Sequence, residues 1–491
     1  MCGIAGIFSF GNHEKPDLSQ LETMSTVLRH RGPDGFGHYL NGNLGLSHSR
    51  LSIIDLQKGD QPIHNEDKTI WVVFNGEIFN YLELRADLIA QGHRFYTESD
   101  TEVIVHLYEQ HGDAFVNRLN GQFAIALWDE LKQKLLLVRD RVGIVPLFYT
   151  EESGRLTFAS EVKSILSIAR HSPRMNINAL DQIMTFWAPI SPATQFEGIQ
   201  ELAPGTMLVI TSQNRQLKQY WDWSFPENNQ FVDVPEEQLK DELLDLLIDA
   251  TRIRLRADVP VGAYLSGGLD SSIITALIHH YTDTPLRTFS IGFDSREHDE
   301  SDFQQLMVDH IASDHSHSQC SNRDVGTQFL DTIWHTESTI MRTAPAPMKM
   351  LSRSVNRQQY KVVLTGEGAD EVFGGYDIFK EAKVRQFWAR QPKSKWRPLL
   401  LQRLYPYLDI SSARAQQYLQ NFFGAGLDQA ASPVFAHQPR WETTAKSKIF
   451  FSEQLKSRLR DDAEAQILAS LPKALNQWHP FNRAQYIDAR S

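Results

Sequence analysis

The hydrophobic periodicity of this 491-residue chain changes near residue 236, and that change constrains the fold more than any other feature. Up to about residue 165, apolar residues come in short β-like runs. These are "GIAGIFSF", "LGLSHSRLSII", "TIWVVFNGEIF", "QFAIALWD", "KLLLVRDR", "PLFYT" and "LTFAS". Helical patterns lie between them at about 18–30, 80–91 and 100–111. The last has capping-box spacing at Ser99 and Glu102 and a stop at Gly112. Many strands with few helices predict an α+β domain over residues 2–165. Residues 166–235 read as a connector with some strand, ending in the linker-like "WSFPENNQFVDVPEEQ".

From 236 onward, "EEQLKDELLDLLIDATRIRLR" has helical spacing. "VPVGAYLSGGLDSSIITALIHH" reads as strand, glycine-rich loop and helix. "LRTFSIGF" and "YKVVLTGEGADEVFGGY" add two buried-type strands. Strands alternating with helices predict an α/β parallel sheet with helices over 236–491, mainly helical after 377.

Two loops carry chemistry. In "SGGLDSS", Gly267 and Gly268 allow a sharp turn, so backbone N–H groups can converge on an anion. The following helix N-terminus and the hydroxyls of Ser266, Ser271 and Ser272 favour phosphate. No Walker-type G-x-x-x-x-G-K-S/T occurs in the chain. The second loop, "LTGEGADEVFGGY", places Glu367, Asp370 and Glu371 among four glycines. Strand C-terminal ends gather at one crevice, so Asp270 and Asp370 could face each other across a triphosphate and hold Mg²⁺.

Position 2 is a cysteine. If Met1 is trimmed, Cys2 carries a thiol and a free α-amine on one residue, a nucleophile with its own base. Arg50, Asn75, Gly76, Glu77 and Asp100 sit on or beside apolar strands. Singly, each has a bland explanation: surface cation, Asn-Gly hairpin turn, edge solvation or first-turn helix charge. Together they are the right types to bind an amino acid, a cation for its carboxylate and anions for its ammonium.

Composition narrows the class. The net charge of −11 and the lack of a long basic run argue against a nucleic-acid partner. Cys2 and Cys320 are the only cysteines, which fits a reducing compartment. No apolar run approaches 18 residues and the start is unlike a secretory signal, so the expectation is a soluble cytoplasmic protein with no membrane partner. Cys320 is expected to be structural, and His315 and His317 lack a Cys/His partner set with metal spacing.

The motifs "MCGIAGIF", "RHRGPDG", "HSRLSIIDL", "FNGEIFNY", "SDTEVI", "GQFAIALWD" and "RDRVGIVPLFY", in this order, resemble the N-terminal-nucleophile, or class II, glutamine amidotransferase domain. With "YLSGGLDSS" and "LTGEGADEVFGGY" following, residues 1 to about 380 resemble glutamine-hydrolysing asparagine synthetases. The resemblance implies a four-layer αββα first domain and an ATP-pyrophosphatase-type second domain. It implies that Cys2 attacks the glutamine amide with its own α-amine as base. Asn75 and the Gly76 N–H would hold the oxyanion. Arg50 would bind the glutamine carboxylate beside Leu51, and Glu77 and Asp100 its ammonium. Leu265, Ser266, Gly267, Gly268, Asp270, Ser271, Ser272, Thr365, Gly366 and Glu367 would bind ATP and the acyl-adenylate, with Glu367 close to the reaction. Asp270 and Asp370 would bind Mg²⁺. Ammonia would travel internally to the adenylate of aspartate or another carboxylate, and the family suggests a homodimer.

Two departures stand out. The family continues with a "GDRM"-like stretch, a "PFLD"-like stretch and a lysine near the pyrophosphate, and none follows "RAQYIDARS", so the synthetase domain is expected to be incomplete at its C-terminal end. Val145 stands where many relatives have lysine. The alternatives are a glutaminase with an inactive synthetase half, and a non-catalytic sensing module, which intact Cys2, Asn75 and "SGGLDSS" disfavour. Sugar-aminating and phosphoribosyl amidotransferases share only the first domain.

Overall fold

Strand Gly3–Ser9 is buried at every position, so both of its faces are covered and it sits inside a layered structure. A computed structural model describes residues 1–490 except 12, 229, 296–298, 406–411 and 460–461. Parts of the linker and helical expectations therefore lie outside the described residues.

The first domain contains two antiparallel six-stranded sheets. One runs in the order Ile199–Glu201, Phe148–Glu152, Arg155–Ala159, Gly3–Ser9, Leu44–Arg50, Gly35–Asn41. The other runs Arg215–Gln219, Thr206–Ile210, Lys134–Arg139, Gly121–Asp129, Ile70–Ile78, Ile63–His64. Alternation along the strands builds three apolar layers. Ile4, Phe8, Leu46 and Phe158 pack against Val73, Ala124 and Leu137 between the sheets. Ala5 and Ile7 pack outward on helix Leu18–Val27, and Val72, Phe74 and Ile78 pack outward on helices Tyr81–Ala90 and Glu102–His111. This is the expected αββα arrangement.

Strands Ile199–Glu201, Thr206–Ile210 and Arg215–Gln219 fall in the stretch read as a connector, yet they extend both sheets. The capping box is displaced. Thr101, not Ser99, precedes helix Glu102–His111. The Glu102 carboxylate instead accepts from Tyr96 N–H at 2.9 Å and Thr97 N–H at 2.7 Å.

The second domain holds a parallel sheet ordered Asp314–Cys320, Arg287–Phe293, Val261–Tyr264, Val362–Leu364. Helix Leu269–Tyr281 begins inside "SGGLDSS", after Gly268, and short helices fill the C-terminal portion. Polar contacts join the domains. Arg256 pairs with Glu83 at 2.5 Å, and Asp258 accepts from Asp55 N–H at 2.7 Å. Glu337 accepts from the N–H groups of Val162 and Lys163, both at 2.6 Å. Among the described residues, no helix is long and apolar enough to cross a membrane.

Candidate active site

Antiparallel pairing of Gly3 with Ser49 brings Cys2 and Arg50 to the same end of the first sheet. The Leu51 N–H donates to Cys2 Sγ at 3.3 Å, and Arg31 Nε donates to the Cys2 carbonyl at 2.9 Å. Burial pushes the Cys2 thiol up from its ordinary value, so the resting thiol is neutral and needs a base. The α-amine of the unprocessed chain is enclosed and is lowered to about 6 by burial, although the Met1 side chain is exposed.

Val73 faces the inter-sheet core, so alternation turns Asn75 and Glu77 to the same side of the strand, and Glu77 but not Asn75 lines the cavity that Cys2 lines. Asn75 is fully buried, and its side-chain amide has no hydrogen-bond partner among the described residues. An unpaired buried amide is costly unless a ligand completes it. Asn75-Gly76 is not a hairpin turn but the interior of strand Ile70–Ile78. Gly76 adopts φ +150°, and a Cβ there would stand 2.0 Å from the Gln122 carbonyl oxygen, so only glycine fits.

Cys2, Arg50, Leu51, Gly76, Glu77 and Asp100 line one cavity of about 370 Å³. Arg50 is fixed by Asp60 at 2.8 Å and the Asp55 carbonyl at 2.6 Å. Asp100 accepts from the Ile78 N–H at 2.9 Å. Burial pushes Asp100 up to about 6, and burial with the neighbouring Asp100 charge pushes Glu77 up to about 8. Two carboxyls driven upward in one cavity suit a cationic group, which would return both to the charged form.

The second cavity, about 350 Å³, collects Leu265, Ser266, Gly268, Asp270, Ser271, Thr365, Gly366, Glu367 and Asp370. The Ser266 and Ser271 hydroxyls are 2.9 Å apart. Helix Leu269–Tyr281 starts at Gly268 with no side-chain cap, leaving its first N–H groups for a ligand. Gly267 and Ser272 do not line the cavity. Gly267 makes the turn at φ +89°, and Ser272 Oγ donates back to the Gly268 carbonyl at 2.8 Å. A Cβ on Gly366 would stand 2.7 Å from the Ser271 nitrogen, so the two loops touch. Burial, then Asp270 and Glu371, push the Asp370 carboxyl up. An oxygen-only, mutually repelling pair fits Mg²⁺.

Residues 1–221 match the family described as glutamine amidotransferase domain, and residues 242–491 match the family described as asparagine synthase. The chain belongs to the asparagine synthase family. Glutamine-hydrolyzing asparagine synthetase 1 of Bacillus subtilis is 33% identical over 82% of this chain and 63% of its own length. Putative glutamine-hydrolyzing asparagine synthetase 2 of Methanocaldococcus jannaschii is 34% identical over 80% of this chain and 79% of its own. Amidase chry2 of Gibberella zeae is 30% identical over 99% of this chain and 76% of its own. The chain thus spans less than two thirds of the Bacillus relative.

In this asparagine synthase family member, the cavities recruit residues the sequence did not single out. Gln61, Gln122, Ser352, Lys361, Val362 and Val363 join the first. Gln61 accepts from Phe74 N–H at 2.6 Å and so braces the strand before Asn75. Lys361 pairs with Asp34 at 2.6 Å across the domain boundary. Tyr264, Ser290, Glu300, Gln304, Met348 and Tyr376 are among those joining the second. Ser290, a polar residue inside the apolar "RTFSIGF", was the one local signal. Val145 is wholly buried in the inter-sheet core, so its side chain reaches neither cavity. Cys320 is buried, and His315 is hydrogen-bonded to the Thr288 and Ser290 hydroxyls.

Proposed function

We propose that this chain forms an amide from glutamine nitrogen at the expense of ATP, converting aspartate to asparagine with release of glutamate, AMP and pyrophosphate. The single observation carrying this reading is that strand Val362–Leu364 and the loop after it serve both cavities. Lys361, Val362 and Val363 line the Cys2 cavity, and Thr365, Gly366 and Glu367 line the second. Only about 7 Å of extended chain separates Val363 from Thr365. Helix Pro345–Arg357 does the same, with Leu351 on one side and Ser352 on the other.

In the first cavity, Cys2 Sγ bonds to the glutamine side-chain carbonyl carbon, and its proton passes to the Cys2 α-amine after Met1 removal. Asn75 and the Gly76 N–H stabilise the oxyanion, a contribution of about 2.7–4 kcal/mol for one such donor. Arg50 holds the carboxylate beside Leu51, and Glu77 and Asp100 the ammonium. The C–N bond breaks as the amine returns its proton, ammonia leaves, and water hydrolyses the thioester to glutamate. In the second cavity, the acceptor carboxylate attacks the α-phosphorus of ATP and pyrophosphate leaves from the "SGGLDSS" cradle. Ammonia then displaces AMP at the acyl carbon near Glu367. Mg²⁺, held by Asp270 and Asp370, would neutralise phosphate charge during adenylation. An interior path between the adjoining cavities would keep ammonia from water, where protonation would destroy its nucleophilicity.

A second acceptor is favoured by one observation. Amidases chry2 and chyE align over 99% and 96% of this chain, against 82% and 80% for two of the asparagine synthetases. Another biosynthetic carboxylate is therefore the competing substrate. Free Cys2 and Cys320 support a cytoplasmic setting. The deciding experiment measures pyrophosphate release with glutamine and Mg-ATP, with and without aspartate, while quantifying asparagine and glutamate. Aspartate-dependent pyrophosphate matched by asparagine supports the reading. Glutamate without aspartate-dependent pyrophosphate overturns aspartate as the acceptor.

A further inference from the structure

Four side chains outside both cavities converge on one point of the first domain. Glu66 lies on the turn between strands Ile63–His64 and Ile70–Ile78, and His93 lies in the segment between helices Tyr81–Ala90 and Glu102–His111. His106 and Glu109 lie on helix Glu102–His111. One ligating atom from each falls within 4.8 Å of all the others.

The spacing is that of a coordination shell. His106 Nδ1 is 3.0 Å from Glu109 Oε2 and 3.4 Å from Glu66 Oε2. His93 Nδ1 is 3.6 Å from Glu109 Oε2 and 3.7 Å from Glu66 Oε1. A tetrahedral cation with bonds of about 2.0–2.2 Å has ligand–ligand edges of about 3.3–3.6 Å. With either Glu66 oxygen as the ligand atom, three of the six edges are near their required length.

The surrounding groups orient these ligands as outer partners do in metal sites. His106 is fully buried, and its Nε2 is 3.4 Å from Glu102 Oε1, which fixes the ring with Nδ1 toward the cluster. Glu102 is itself buried and held by Tyr96 and Thr97 N–H groups. Asn65 Nδ2 donates to Glu109 Oε1 at 2.9 Å, leaving Oε2 turned inward. Arg94 N–H donates to Glu66 Oε1 at 2.8 Å. The two imidazole rings are 4.9 Å apart, close enough for both to ligate one dication. The two carboxylates match its charge.

We propose that Glu66, His93, His106 and Glu109 form a tetrahedral divalent-metal site of the zinc class. Two nitrogen and two oxygen ligands suit Zn²⁺ better than Mg²⁺. The ion would tie the segment running from His93 to Asp100 onto the 65–69 turn. This site is independent of the amide-forming reaction and of its acceptor.

The test uses the full untagged chain, stripped with chelator and titrated with Co²⁺ and Zn²⁺. One equivalent of Co²⁺ should give an intense visible absorption band of tetrahedral type, displaced by one equivalent of Zn²⁺. His93→Ala and Glu109→Gln should each weaken binding at least about 10-fold. Zn²⁺ should raise the melting temperature of the wild type but not of these variants, which keeps the test valid if a variant is destabilised. Absence of stoichiometric binding, or equal binding by both variants, would show an ion-pair cluster only and overturn the proposal.

Discussion

Leu351 lines the second cavity and Ser352, the next residue of helix Pro345–Arg357, lines the first. The partition between the two chemistries is therefore a thin layer. It consists of helix Pro345–Arg357 and strand Val362–Leu364 with the loop that follows.

The first expectation concerns Cys2, the cavity's one thiol. Cys2→Ala should abolish glutamate release from glutamine. Synthesis driven by ammonium salts with ATP should persist, because the second cavity contains no part of Cys2. Paired glutaminase and ammonia-dependent pyrophosphate assays check this. Full glutaminase activity in Cys2→Ser would remove Cys2 from the mechanism.

How much of this site was readable follows from where its residues sit in the chain. Cys2, Arg50, Gly76 and the "SGGLDSS" loop announce themselves through short local patterns. Gly76 is demanded by its own strand geometry and Gly267 by its own turn. Ser352, Lys361 and Tyr264 carry no such signature. Ser352 and Lys361 enter the first cavity because the second domain packs against the first, and Tyr264 meets cavity partners distant in the chain; local sequence encodes neither. The capping box failed for a related reason. Glu102 is drawn back to Tyr96 and Thr97, so Ser99 is left to bond Thr101 N–H at 3.2 Å. Strand Gly35–Asn41 went unread because it is an edge strand, partly exposed and interrupted by glycine.

Asn75→Ala should lower the glutaminase kcat about 10²–10³-fold with a much smaller change in KM, since the amide is unpaired until charge develops on the oxygen. Gly76→Ala should behave differently. Its Cβ would strike the Gln122 carbonyl, so the protein should lose stability as well as activity. Steady-state kinetics beside thermal melts separate the two.

Glutamine binding should strengthen with pH. Asp100 and Glu77 are raised to about 6 and about 8 in the ligand-free protein. A carboxyl raised on folding contributes stability that is fully present below its unfolded pKa and lost as pH rises through its folded pKa. The melting temperature of Cys2→Ala without glutamine should therefore fall between pH 5 and 8.5. The increment added by glutamine should grow over the same window, as the ammonium pairs with both anions. Glu77→Gln should flatten the upper part of both trends and weaken glutamine about 10–150-fold, the value of a charged hydrogen bond. Thermal melts across pH, with and without glutamine, read all three.

Asp370→Asn should remove pyrophosphate release while sparing glutaminase turnover. Asp370 faces Asp270 at the two touching loops and has no place in the Cys2 cavity. Losing one of two anionic oxygen donors should also raise the Mg²⁺ concentration needed for any residual activity. Pyrophosphate assays over a Mg²⁺ series, run beside glutamate release, test this.

The partition itself can be probed by size. Ser352→Phe projects a ring into the first cavity at the point where the two cavities share a helix. Glutamate release should continue, because Cys2, Asn75 and Arg50 are untouched. Ammonium-driven synthesis should also continue, because added ammonia reaches the second cavity from solvent. Glutamine-driven amide formation should fall well below the glutamate formed, with the missing nitrogen appearing as free ammonia in the medium. Ser352→Ala removes the hydroxyl without adding bulk, so it separates obstruction from loss of that hydroxyl. Equal amide and glutamate yields in Ser352→Phe would mean that ammonia crosses elsewhere, and would move attention to the Val362–Val363 wall.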